Sequence, residues 1–237
     1  MGMLIRDILE NSVENFAEIK AVKWLQKKEI LERSYKELME NVVAIRKGLL
    51  SEGFQGKHLA LIGVSSVEWI ESYLGVITGN TVAVPLDAGL PGEDLIDLIN
   101  RSDSEGLFLS PKLLPLLDAV LAQCPKLRKI WLLQEQEAEI DNEKVVSLAE
   151  LKKVSGNNAV DADKPSPEDV ATIIFTSGTT GKSKGVMLTH RNMAENATCL
   201  DMRIPSRTVI LSVLPIHHAY CLSMDILKGI SLGSIIC

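Results

Sequence analysis

The stretch TSGTTGKSKGV, Thr176 to Val186, holds three glycines, five hydroxyl residues and two lysines in eleven positions. It lies between two apolar runs, ATIIF (171–175) and VML (186–188). A Gly/Ser/Thr-rich loop after a strand suits phosphate for physical reasons. Glycines let the backbone approach closely, successive N–H groups form an anion-binding concavity, and hydroxyls add donors. A lysine at the rim supplies the compensating charge. An ordinary turn needs no such density.

Two loop types compete for this stretch, and spacing separates them. GKS (181–183) matches the tail of the pattern G-x-x-x-x-G-K-[ST], in which Lys182 would reach the terminal phosphates. That pattern requires glycine at 176, where the chain has threonine, and a helix directly after the lysine. Here Val186-Met187-Leu188 reads instead as a strand. A helix starts only later, where Thr189 is placed to cap HRNMAENATCL (190–200). The loop is therefore expected between two strands, which moves the phosphate-binding lysine from Lys182 to Lys184.

Outward from the loop, helical and extended patterns alternate. Ser34 and Glu37 have capping-box spacing, and Leu38, Val42, Ile45 and Leu49 follow at helical intervals up to Gly53, a C-terminal stop. Strands are predicted in HLALIG (58–63), TVAVPL (81–86, ended by Pro85), GLFLS (106–110) and KIWLL (129–133). Helices are predicted at 66–79, from Pro91 onward, and from Pro111 to Gln123. This rhythm predicts an α/β fold with parallel or mixed sheets flanked by helices. VSGNNAVDADKPSPED (154–169) is poor in apolar residues and reads as a surface linker. It divides the chain into a first α/β subdomain, 1–153, and the start of a second, 170–237, carrying the phosphate loop. EQEAEIDNE (135–143) reads as a solvated acidic loop. No internal repeat is present.

Composition narrows the partners. The 237 residues are 46% hydrophobic with a formal net charge of −6. No basic stripe is interleaved with aromatics, which disfavours nucleic acid and makes a small-molecule ligand the default. The four cysteines, Cys124, Cys199, Cys221 and Cys237, lie far apart with no C-x-x-C pair, and read as buried reduced thiols of a cytoplasmic protein. The N-terminus lacks a secretory apolar core, and Arg6 stands where a myristoylation signal wants Ser or Thr. Glu68, Glu71, His217 and His218 interrupt the longest apolar runs, leaving peripheral contact as the most a membrane could have. Trp24, Trp69 and Trp131 sit in apolar patterns and read as core, and His190 as a helix-start residue.

TSGTTGKSKGVMLTHRN (176–192) closely resembles the signature of the adenylate-forming superfamily, whose usual form is T-S/T-G-T/S-T-G-x-P-K-G-V. Ser183 replaces the commoner proline. RSYKEL (33–38), YLGVITGNTVAVPLD (73–87) and LPIHHAY (214–220) resemble further segments of the same superfamily, the last most like the long-chain fatty acyl-CoA branch. The resemblance implies the N-terminal large domain of an adenylate-forming enzyme, present here in part. It also implies a two-step reaction. A carboxylate attacks the α-phosphate of ATP, releasing pyrophosphate, and a thiol, usually coenzyme A, then displaces AMP. On that resemblance Thr176, Ser177, Gly178, Thr179, Thr180, Gly181 and Lys184 bind ATP, Thr176 touches magnesium, and His217 and His218 shape the acyl pocket. The same resemblance implies that Lys184 is the catalytic residue.

The superfamily's later segments, including a C-terminal domain with a catalytic lysine, have no match here, and the chain stops inside SIIC. Truncation is the expectation, with no pyrophosphate exchange from this chain alone and with self-association through exposed strand edges. Two other readings stand beside it: a short non-catalytic nucleotide-binding or interaction protein of the same fold, and a P-loop NTPase.

Overall fold

The computed structural model describes residues 4–136, 140–154, 160–176, 183–199 and 203–237. In chain order its elements are α1 (Ile5–Phe16), β1 (Lys20–Gln26), β2 (Glu29–Ser34), α2 (Tyr35–Ser51), β3 (His58–Ile62), α3 (Val67–Ile77) and β4 (Val82–Leu86). Then come α4 (Gly92–Arg101), β5 (Ser104–Leu109), a 3₁₀ turn (Pro111–Leu116) leading into α5 (Leu117–Gln123), β6 (Lys129–Leu132), β7 (Val145–Ser147) and α6 (Leu148–Val154). The last part holds β8 (Val170–Thr176), β9 (Lys184–Thr189), α7 (His190–Cys199), β10 (Val209–Ile210), a π-helix (Cys221–Lys228) running into α8 (Gly229–Ser231), and β11 (Ile235–Ile236).

The local signals are realised as local hydrogen bonds. The Ser34 hydroxyl accepts from the Glu37 N–H at 3.2 Å, and the Glu37 carboxylate accepts from the Ser34 N–H at 2.7 Å. At the far end of α2, Gly53 takes φ +73°, Phe54 N–H bonds Leu49 O and Gly53 N–H bonds Leu50 O. This left-handed stop satisfies two carbonyls that the helix itself leaves open. Thr189 and Asn192 form a second reciprocal cap, each side chain accepting from the other's N–H at 3.1 Å, and so start α7.

One sheet has the order β7-β6-β5-β3-β4-β8-β9, parallel throughout except for the antiparallel β9. Side-chain alternation gives it two apolar faces. Leu59, Leu61, Phe108 and Trp131 face a core shared with α1, α2, α3 and α7, while Ala60, Ile62, Leu107 and Leu109 face α4 and α5. A smaller sheet, β10-β11-β1-β2, packs the chain's beginning against its end.

Several expectations change on this framework. Pro85 does not end its strand; it sits inside β4 opposite Leu61, and Leu86 follows in register. The register of β4 with β8 is confined to Ala83 and Thr172, so the missing N–H at 85 interrupts no ladder there. The helix expected from Pro111 begins as a 3₁₀ turn, because Pro115 lies inside it and offers no N–H. Strands on both sides of 154–169 belong to the same two sheets, so this segment is not a seam between separate sheets. Its described part is docked rather than free: Ala162 is buried, and the Asp161 carboxylate accepts from Arg46 Nε at 2.7 Å and Nη2 at 2.5 Å. Arg6 Nη2 donates to the same carboxylate at 3.0 Å and Arg6 Nη1 to Ala162 O at 2.7 Å. Cys124 and Cys221 are buried free thiols, but Cys199 and Cys237 are exposed. Trp69 and Trp131 are fully buried. Trp24 is only half-buried, under the Arg33 guanidinium. Among the described residues no helix is long and apolar enough to cross a membrane.

Candidate functional site

β8 is an apolar strand buried on both faces along most of its length, and it delivers Thr176 exposed at the carboxyl edge of the sheet. β9 returns antiparallel, with Thr176 paired to Lys184, Phe175 to Gly185 and Ile174 to Val186. Thr176 and Lys184 therefore stand opposite each other at the mouth of a hairpin. Ser177, Gly178, Thr179, Thr180, Gly181 and Lys182 lie outside the described residues. The element after Ser183 is a strand and not a helix, as the spacing predicted. Gly185 sits in close approach: a Cβ there would lie 3.0 Å from the Ile173 side chain and 3.4 Å from the Phe175 ring, so a larger residue would have to push these side chains aside.

Beside the hairpin mouth lies a cleft of about 580 Å³, bounded by Pro85–Asp87 at the end of β4, by Ile174–Thr176 and by Ser183, with His217 and Arg101 on its walls. It opens at the carboxyl ends of parallel strands, where open α/β sheets place ligands, and its volume lies in the range of small-molecule sites. Lys184 is exposed next to this cleft rather than lining it.

The two adjacent histidines part company. His217 lines the cleft with Nδ1 3.8 Å from Asp87 Oδ1. Burial pushes its pKa down, Asp87 opposes this, and His218 adds to it. The His218 side chain is exposed and its Nδ1 accepts the Tyr220 N–H at 3.2 Å. The structure thus brings Thr176 and His217 to one cleft and leaves His218 outside it. His190, at the start of α7, is buried away from the cleft; burial brings its pKa down to about 4 against the opposing charge of Asp169.

Sequence reading missed the acidic and basic walls contributed by α4: Asp94, Asp97 and Arg101. Asp87, by contrast, stood in the VPLD segment already singled out. Magnesium keeps several waters and is held by few protein oxygens together with substrate phosphates. Among the described residues no group of three His, Cys, Asp or Glu side chains is arranged to hold a metal. The cleft offers the hydroxyls of Thr176 and Ser183 and the carboxylates of Asp87, Asp94 and Asp97, a sparse set of oxygens of the kind that suits an ion arriving with a polyphosphate.

The sequence pattern of the AMP-binding enzymes matches residues 9–237. The chain belongs to that family. It is 30% identical over 205 residues to the mouse long-chain-fatty-acid–CoA ligase 5, covering 79% of this chain and 30% of that protein. It is 28% identical over 206 residues to Arabidopsis thaliana long chain acyl-CoA synthetase 8, covering 82% and 29%. The chain thus spans about three-tenths of the length of these relatives. Among solved structures, the anthranilate CoA ligase AuaEII in complex with anthranoyl-AMP superposes over 99% of this chain and 45% of its own at TM-score 0.85 and 18% identity. The inhibitor-bound N-terminal domain of FACL13 from Mycobacterium tuberculosis superposes over 100% and 57% at TM-score 0.79 and 23% identity. These likenesses show the fold: a mixed α/β arrangement shared with adenylate-forming enzymes.

Proposed function

We propose that this AMP-binding protein binds ATP through the hairpin mouth at Thr176 and Lys184, and that its activity is ATP-dependent activation of a long-chain fatty acid as an acyl-adenylate, followed by transfer to coenzyme A. The observation that carries the reading is the register of Thr176 with Lys184 across a strand–loop–strand hairpin beside the cleft. A P-loop NTPase needs a helix after its lysine, and a strand stands there instead. The fatty-acyl substrate and the thiol step rest on the long-chain relatives, whose length exceeds this chain's about threefold.

Adenylation brings a carboxylate to the α-phosphate and expels pyrophosphate, so negative charge gathers on the leaving group. In this reading the Lys184 ammonium, carried at the start of β9, meets that charge, and the N–H groups and hydroxyls of 176–181 are the further phosphate donors that the sequence supplies. Preorganised donors of this kind act without reorganising as the reaction proceeds. Magnesium, when bound with ATP, would neutralise further phosphate charge, with Thr176 the residue to touch it. Burial on the cleft wall favours the uncharged form of His217, the form that suits an acyl substrate; His218 is exposed and suits the pocket less well.

Titration calorimetry of the 237-residue chain with Mg-ATP tests this reading. Lys184→Ala should weaken binding at least tenfold while Lys182→Ala changes it less than about threefold, in line with the loss of one phosphate-pairing charge. In a version as long as the relatives, Lys184→Ala should slow fatty-acid-dependent pyrophosphate exchange about a hundredfold. The reverse ranking of the two lysines would assign the loop to the helix-following class. Robust carboxylate-dependent exchange from the 237 residues alone would contradict the expectation that they are insufficient for adenylation.

A further inference from the structure

Arg101, in the last turn of α4, touches both arms of the hairpin at once: Phe175 on β8 and Ser183, the residue just before β9. Its Nη2 donates to Ser183 O at 2.6 Å, its Nη1 reaches Ser183 Oγ at 3.5 Å and Asp97 Oδ2 at 3.1 Å, and its guanidinium carbon lies 5.5 Å from the centre of the Phe175 ring. Phe175 precedes Thr176 on β8, and Ser183 precedes Lys184 on β9. This end of the hairpin is otherwise held by its own ladder, which ends at the pair Thr176 and Lys184, and on the β8 side by Phe175 packing against the core under α4 and α5. On the β9 side, Arg101 adds its hydrogen bond to the ladder. An end pair frays unless something outside it holds the strands.

We propose that Arg101 is a positioning residue for the phosphate site: it clamps Ser183 against Phe175 and so holds Lys184 opposite Thr176. The chemistry calls for arginine. A guanidinium offers edge donors to a carbonyl and a hydroxyl while its flat face lies over an aromatic ring, which an ammonium cannot do together. Asp97 orients the guanidinium from one turn earlier on the same helix, an exposed pair that contributes little by itself. The clamp acts through Lys184, and its importance for nucleotide rests on the reading of the hairpin mouth as the ATP site. The clamp itself does not.

Backbone hydrogen exchange of the 237-residue chain without nucleotide, together with Mg-ATP titration, tests the proposal. Arg101→Ala should speed exchange at Lys184–Val186 about tenfold and leave the β3 amides unchanged, as local opening does, and should weaken Mg-ATP about tenfold by misplacing Lys184. Arg101→Lys should restore only part of both effects, and Ser183→Ala should stay within about twofold of wild type, because the backbone carbonyl is the nearer acceptor. Unchanged exchange in Arg101→Ala overturns the clamp. So does a loss of affinity with unchanged exchange, which would make Arg101 a direct phosphate ligand. Locally raised exchange in a protein whose wild type does not bind Mg-ATP upholds the clamp and refutes the nucleotide site. Where Arg101→Ala speeds exchange across the whole sheet, Arg101→Lys decides: a rise confined to 184–186 supports the clamp, and a uniform rise refutes it.

Discussion

Removing the Asp161 carboxylate should be among the costliest single changes outside the apolar core. Arg46 is 1% exposed at its side chain and sends Nε and Nη2 to Asp161 and Nη1 to Thr78 Oγ1 at 3.1 Å. In Asp161→Ala two of those three bonds vanish, and a buried guanidinium keeps one neutral partner. Breaking a buried pair in this way costs about 3–5 kcal/mol. The carboxylate is itself 31% exposed, so water enters the vacated space and the lower figure applies, about 3 kcal/mol. Arg46→Met should cost less, about 1–2 kcal/mol, because Asp161 keeps Arg6 and the Ala162 N–H and no buried charge is orphaned. Urea unfolding followed by fluorescence of the buried Trp69 and Trp131 measures both. With a slope of about 3 kcal/mol/M, Asp161→Ala moves the midpoint down by about 1 M. The pH dependence has a fixed sign. Burial works against the Asp161 charge, but Arg46 and Arg6 outweigh it and hold the pKa below its usual 3.8. Its contribution is therefore full above pH 3.8 and is lost as pH falls through the lowered folded value. An Asp161→Ala cost under about 1 kcal/mol, or a larger cost for Arg46→Met, would show that the 160–169 segment is not anchored by this pair.

Two further predictions concern stability. His190 has a folded pKa of about 4 against 6.5 unfolded. Stability should fall as pH drops through that interval, by at most about 3 kcal/mol, because only the unfolded chain takes up the proton. His190→Gln should flatten the corresponding slope in urea midpoints, and an equal slope in both proteins would contradict the assignment. At Gly75 an added Cβ would lie 2.6 Å from Ile45 Cγ2, where α3 crosses α2. Gly75→Ala should therefore destabilise by about 1–3 kcal/mol, reversing the gain of up to ~1 kcal/mol that alanine brings at an open helix position. A thermal midpoint at or above wild type would show that the helices move apart at little cost.

What the sequence made legible was whatever residues a few positions apart decide among themselves. The caps at Ser34–Glu37 and Thr189–Asn192, the stop at Gly53 and the strand after Ser183 each need only neighbours along the chain, so composition and spacing revealed them. The β1–β2 hairpin escaped notice because Lys27 and Lys28 carry its turn at φ 47° and 72°, conformations usually marked by Asn-Gly. Tertiary structure alone decided the rest. It tied Arg101 to Ser183, joined Arg46 and Arg6 to Asp161, paired Val22 with Ile236, and turned His217 rather than His218 into the cleft. Each of these depends on distances between residues far apart in the chain, or on which side of a turn a ring falls. Those distances are set by how the sheet faces pack, and one-dimensional spacing carries no record of them.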